Sequence, residues 1–200
     1  MSTQTAPHPP RMSWEEFLEW CDEDTYAEWV DGEVILMSPN STRHQRLLIF
    51  LTRLLPEYVE RRRLGEMLVA PYLMRLPRSA REPDLLFVTN EHAGRIRATY
   101  LDGPADLAIE IVSPESRTRD RREKLREYEE AGVREYWILD PERQQAEFYA
   151  LAESGRYAPL PMEDGIFRSL VLPGLWLKVE WFWQEPLPSP MSVLREWEVV

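Results

Sequence analysis

The sequence predicts one α/β (α+β) domain, a mixed β-sheet flanked by helices, with an N-terminal helix and a β-hairpin in front of it. Three observations carry this. Strand, helix and strand follow closely over residues 107–139, the pattern of a βαβ-like element. From Thr42 to about Arg63, Leu47, Leu51, Leu54, Leu55, Tyr58 and Val59 recur at three- and four-residue steps, one face of a long helix. Asp31-Gly32 stands between two β-like runs, and both central residues of a type I′ turn need positive φ.

In chain order, Met1–Met12 holds three prolines and no apolar core of a signal peptide, and is expected to be disordered. Ser13-Trp-Glu-Glu16 has the form of a capping box, so a short helix should run from Trp14 to about Cys21. Strands are expected at Tyr26–Val30 and Glu33–Met37, before Ser38-Pro39-Asn40 breaks the chain. Pro56 should bend or end the long helix. Met67–Ala70, Tyr72–Leu76, Asp84–Val88 and Leu107–Val112 read as strands, with Thr89–Asp106 as a long loop. Thr118–Ala131 reads as a helix with Leu125, Tyr128 and Ala131 inward and Gly132 as its C-cap glycine. Glu135–Leu139 and Ala146–Leu151 are strands joined by Asp140-Pro141-Glu142-Arg143, a turn composition. Arg156–Phe182 reads as irregular β structure. The single domain therefore spans 13–183, followed over 184–200 by a Pro-rich connector and a short C-terminal arm.

Length fits one domain, and 44% apolar residues with eight tryptophans fit a packed core. The net charge of −11 argues against broad adhesion to nucleic acid or to anionic membranes, though not against a local basic path. Cys21 is the only cysteine, which fits a reducing cytoplasm. The longest apolar runs are too short to span a bilayer.

Glu110 is the most informative position. It lies in Asp106-Leu-Ala-Ile-Glu-Ile-Val-Ser113, a buried strand by composition, sharing a face with Ala108 and Val112. A carboxylate there is costly without a cation or hydrogen bonds, so it marks a metal site or a structural ion pair. Asp84, after Glu82-Pro83, opens the neighbouring strand. Alone it is ordinary strand-start chemistry, but two acids on adjacent strands suit a hard divalent cation. Asp120, Lys124 and Tyr128 are spaced along one helical face, where Lys124 could reach a phosphate or a water, or pair with Asp120 at the surface. Arg117, Arg119, Arg121, Arg122 and Arg126 make the one concentrated basic stretch, unfavourable for a helix start. It is either a nucleic-acid backbone contact or a solvated charge run.

Pro83-Asp84, then Glu110-Ile-Val112, Ser113-Pro-Glu-Ser116 and Asp120…Lys124…Tyr128, with Gly132-Val-Arg-Glu-Tyr-Trp137, Asp140-Pro141, Asp31-Gly32-Glu33, Ser38-Pro39 and His44, resemble the Uma-two family of restriction endonucleases. That family is a branch of the PD-(D/E)XK nuclease superfamily. The resemblance implies a restriction-endonuclease-like core and phosphodiester hydrolysis of nucleic acid, DNA before RNA, with Mg²⁺ or Mn²⁺. It implies Asp84, Glu110 and Lys124 as catalytic residues and Asp84, Glu110 and Glu33 as metal ligands. His44, Asp120 and Tyr128 would support them, with Arg117, Arg119, Arg121 and Arg122 on the backbone. The usual lysine position, two residues after the glutamate, is Val112, so the role passes to Lys124. His44 is equally readable as a histidine satisfying local hydrogen bonds. The competing expectation is a catalytically silent binding or regulatory module of the same fold. A homo-oligomer, a dimer first, is compatible with either, and Trp176, Trp181, Trp183 and Trp197 suit a subunit interface.

Overall fold

The computed structural model describes residues 9–22 and 25–199. The N-terminal helix α1 (Trp14–Trp20) starts on the full capping box: Glu16 N–H donates to Ser13 Oγ, and Ser13 N–H to the Glu16 carboxylate at 2.7 Å. Its Trp14 and Phe17 pack on the hairpin β1 (Ala27–Val30) and β2 (Glu33–Leu36). Asp31 and Gly32 have φ of 47° and 91°, as the turn requires. Of the expected disordered N-terminus, residues 1–8 lie outside the described residues. Met12 donates its N–H to Gly32 O and accepts from the Trp29 indole, laying that stretch along the hairpin.

Helix α2 (Thr42–Arg62) runs unbroken through Pro56. Proline inside a helix costs about 3 kcal/mol, but α2 buries Leu47, Phe50, Leu51, Leu54, Leu55, Tyr58 and Val59, each contributing about 1.5–3 kcal/mol. Packing wins over the local break. The six-stranded sheet it covers has the order β11-β10-β9-β8-β6-β3. These are β3 (Gly65–Val69), β6 (Leu85–Thr89), β8 (Leu107–Ile111), β9 (Glu135–Asp140), β10 (Gln145–Leu151) and β11 (Tyr157–Pro159). The β8–β9 pair is parallel and the others antiparallel, so the sheet is mixed.

A second, five-stranded sheet, β2-β1-β5-β4-β7, adds β4 (Leu73–Arg75), β5 (Ser79–Arg81) and β7 (Tyr100–Asp102). Two of these strands escape sequence patterning because three residues cannot show a period. The stretch Thr89–Asp106 is accordingly not a loop: it holds a 3₁₀ turn over Asn90–Arg95, then β7 parallel to β4.

The helix expected at 118–131 is built in two parts, a π-helical segment (Arg119–Lys124) and α3 (Leu125–Ala131), closed by Gly132 at φ 89°. Toward the C-terminus, β12 (Ile166–Arg168) pairs with β13 (Trp176–Lys178). A final helix α4 (Pro190–Glu196) begins on Pro190, inside the stretch expected to be an extended connector. Val193, Leu194, Trp181 and Trp197 join the core beneath α2, with the Trp197 ring 5.5 Å from Tyr58. Trp181 and Trp197 are thus core residues, and Trp176 and Trp183 remain partly exposed. No helix among the described residues is long and apolar enough to cross a membrane.

Candidate active site

Alternation along β8 sends Leu107, Ile109 and Ile111 toward α2, and Ala108, Glu110 and Val112 toward α3. The β6–β8 register ends on Leu85 and Ile109, so Asp84, just before β6, and Glu110, just after Ile109, meet at the same end of that strand pair and line one cavity. Asp84 Oδ2 accepts from the Ile111 N–H at 2.7 Å, and its Oδ1 lies 3.1 Å from His44 Nε2. His44 sits in the first turn of α2 behind the Ser41 cap, almost completely buried, with Nδ1 unpaired.

Lys124 closes the opposite side. Its buried ammonium lies 2.8 Å from Glu110 Oε1, 2.8 Å from Glu28 Oε1 and 3.7 Å from Asp120 Oδ1. The expected surface pair of Lys124 with Asp120 is therefore a buried one. Tyr128 reaches Glu110 rather than Lys124, donating its hydroxyl to Oε1 at 2.8 Å. The π segment sets the Asp120–Lys124 offset, an unusual turn that recurs at functional sites. Asp120 Oδ2 accepts from Ser116 Oγ, while its Oδ1 is buried without a hydrogen bond.

Glu28 is the residue that sequence reasoning passed over. It lies on β1, opposite Arg81 of β5 by the register Trp29–Ala80, and is fully buried. It accepts from Arg81 Nη1 at 2.9 Å and from the Glu82 N–H at 3.2 Å. The signal was present: Ala27-Glu28-Trp29 is an acid in an apolar strand, the same argument that selected Glu110. Glu33, the acid favoured by resemblance, is exposed at the turn end of β2, paired with Arg11, and is not among the residues lining the cavity. The register pairs Val30 with Glu33 and Glu28 with Ile35, so Glu33 shares the sheet face of Glu28 but lies two residues nearer the turn, where that face opens to solvent.

His44, Asp84, Glu110, Asp120 and Lys124 line a narrow cavity of about 70 Å³, with Tyr26, Glu82, Arg119 and the rim residues Leu36, Ser38, Asn40 and Glu115, while Glu28 and Tyr128 act on it through Lys124 and Glu110. A water claims about 30 Å³ of liquid, so the cavity admits a few small species and no base. Its electrostatics are lopsided. Glu28, Glu82, Asp84, Glu110 and Asp120 face Lys124, Arg119 and Arg81, and Arg81 also serves Glu127. Burial raises Glu110 well above the ordinary carboxyl value, against the pull of Lys124 and with the push of Asp120 and Asp84. Burial and Glu28 push Glu82 up to about 7. Burial would raise Glu28 as well, but Lys124 and Arg81 hold it down at about 2. Burial, Glu82 and Asp84 push the Tyr26 phenol up to about 12.

The surplus of buried acid, with Glu82 Oε1 unpaired, fits a divalent cation. Among the described residues no three His, Cys, Asp or Glu side chains are gathered closely enough to hold a metal ion unaided.

The basic stretch divides. Arg117 and Arg121 are committed to buried Asp140, each at 3.1 Å, and Arg121 also to Glu147 at 2.5 Å. Asp140 ends β9 and needs those cations, so the two arginines expected on a nucleic-acid backbone are tied down. Arg119 lines the cavity with its Nε 3.9 Å from Glu28 and without a hydrogen bond, and Arg122 is exposed.

A mixed sheet flanked by helices, with two acids at one strand end and a lysine from the following helix, defines a restriction-endonuclease-like nuclease fold. A crystal structure described as “a putative nuclease belonging to DUF820”, from Anabaena variabilis, matches with a TM-score of 0.72 over 84% of this chain and 96% of that one. Identity is 16%, so the likeness is one of fold. The family model Uma2, described as “Putative restriction endonuclease”, matches residues 14–180, and the chain belongs to that family. No curated protein is matched.

Proposed function

We propose that this chain is a phosphodiester hydrolase acting on nucleic acid, DNA before RNA, with Mg²⁺ or Mn²⁺ held by Asp84 and Glu110. The observation that carries it is the meeting of those two carboxylates in one cavity at the end of the β6–β8 pair, with the Lys124 ammonium 2.8 Å from Glu110. Bound there, the cation would lower the pKa of a water and offset charge on the phosphate. Asp84 is aimed by the Ile111 N–H and by His44, which fixes one ligand oxygen on each side. Glu110 is aimed by Tyr128. Two of the three Lys124 protons face Glu28 and Glu110, and the third, with Asp120 Oδ1 farther off at 3.7 Å, is the one open to an oxygen entering the cavity. In that place Lys124 stabilises developing negative charge in a site from which bulk water is excluded. Arg119 and exposed Arg122 hold the flanking phosphates.

Plasmid, single-stranded DNA and RNA, each incubated with Mg²⁺ or Mn²⁺, test the proposal. Hydrolysis should require the metal and vanish in Asp84→Ala and Glu110→Ala; undiminished hydrolysis in either variant refutes the assignment. Metal-dependent stabilisation of the fold without hydrolysis of any substrate would favour the catalytically silent module instead. The cytoplasmic homodimer expected from the sequence belongs to the same proposal, and concentration-dependent sedimentation tests its assembly.

A further inference from the structure

Beside the catalytic cavity, a groove of about 760 Å³ runs between the N-terminal half of α2 and the segment 182–190. Its helix wall carries Arg43, Arg46 and Arg53, with exposed Ile49 between them. The steps of three and seven residues align these arginines on one helical face. They extend over about 15 Å at the rise of an α-helix. Arg43 pairs with Glu185 at 3.1 Å, the one acid on the groove wall among the described residues. Arg46 and Arg53 are exposed and have no ion pair or side-chain hydrogen bond among the described residues. In a chain of net charge −11 such a stripe is local and unbalanced. The facing wall offers Trp183, partly exposed and set edge-on to Phe182 at 5.6 Å. Arg43 lines the groove and the next residue, His44, lines the cavity and contacts Asp84, so one opens beside the other.

We infer that this groove is the track for an unpaired nucleic-acid strand passing to the Asp84–Glu110 cavity, with Arg43, Arg46 and Arg53 on its phosphates and Trp183 under a base. The inference rests on the nuclease reading and names the form of its substrate. Charge complementarity calls for a polyanion. The aromatic and apolar lining calls for one whose bases are free to stack, the combination used by proteins that bind single strands. A duplex keeps its bases paired and offers this wall only backbone.

The test is fluorescence anisotropy in EDTA, where hydrolysis is silent, with a labelled single-stranded oligonucleotide, its duplex and polyglutamate. The single strand should bind best, with a log–log salt slope of about −2 for three phosphate contacts. The double variant Arg46→Ala/Arg53→Ala keeps α2 intact, alanine being the best helix former, and should flatten that slope by about 1.4. Trp183 fluorescence should be quenched on binding. Preference for the duplex, preference for polyglutamate (an acidic protein partner), or an unchanged slope in the double variant each overturns the inference. Hydrolysis by the wild type in Mg²⁺, abolished by Asp84→Ala, leaves the nuclease reading standing even then, so the two can fail separately.

Discussion

Replacing Glu28 by Gln removes one charge from the buried cluster and leaves its shape. The folded protein holds this carboxyl at about 2, against an ordinary 4.5. At 1.36 kcal/mol per pKa unit, that difference is about 3 kcal/mol in favour of the charged form. Glu28 is fully buried, so solvent does not discount the figure. It agrees with the roughly 3–5 kcal/mol lost when one partner of a buried pair is removed. Arg81 keeps Glu127, but Lys124 keeps only Glu110 at close range. Urea denaturation at pH 7 should show the loss as a lower midpoint with unchanged slope. The melting temperature should fall by about 6–12 °C, at about 2–4 °C per kcal/mol for a chain of this size. The pH dependence has a definite sign. A carboxyl depressed in the fold stabilises it above the unfolded value near 4.5, and that stability is lost as pH falls toward 2. The gap between wild type and Glu28→Gln should therefore be full at pH 6 and close below pH 4. A loss under 1 kcal/mol at pH 7, or a gap that does not narrow in acid, would show that Glu28 is not the counterion argued for here.

Glu82→Gln should act in the opposite direction: its carboxyl is raised to about 7, so the wild type loses stability as pH climbs from 4.5 to 7, and the variant should melt higher at pH 8 but alike at pH 4. Tyr128→Phe leaves Glu110 with one donor fewer and should cost about 1–3 kcal/mol by denaturation, with weaker Mn²⁺ binding in calorimetry. Arg117→Ala should lower stability and leave KM for a nucleic-acid substrate unchanged, whereas Arg119→Ala should do the reverse; equal effects would undo the division of the basic stretch. Saturation with Mn²⁺ at a hundred times its Kd should stabilise the wild type by about 2.7 kcal/mol and leave Asp84→Ala unmoved in a thermal melt.

Much of the scaffold was legible because its elements are long or strongly marked. The α2 periodicity, the Asp31-Gly32 turn and the Ser13 capping box each state their structure locally. What escaped was short or non-local. Strands β5 and β7 are three residues long and each leans on a strand distant in sequence, β1 for β5 and β4 for β7, and the proline in α2 is overruled by tertiary packing. Within the candidate site, Glu110 announces itself as an acid among apolar neighbours. Glu28 carries the same mark, obscured by the hairpin beside it, while resemblance drew attention to Glu33, at the exposed turn end of that hairpin. The fate of the arginines was not legible at all, since only the fold shows that Asp140 and Glu147 stand beside Arg117 and Arg121.

The run Arg81-Glu82-Pro83-Asp84 leaves one sheet at Arg81 and enters the other just after Asp84. Arg81 answers to Glu28 in the first sheet, Asp84 to Glu110 in the second, and Glu82 faces the cavity between. The link therefore works as a ruler. Because side chains alternate, one residue more or less would turn Asp84 to the other face or pull Arg81 out of register with Glu28. Relatives sharing this site should keep Arg81 and Asp84 and never change the length of the link between them, while length changes collect in the exposed turns beyond β10.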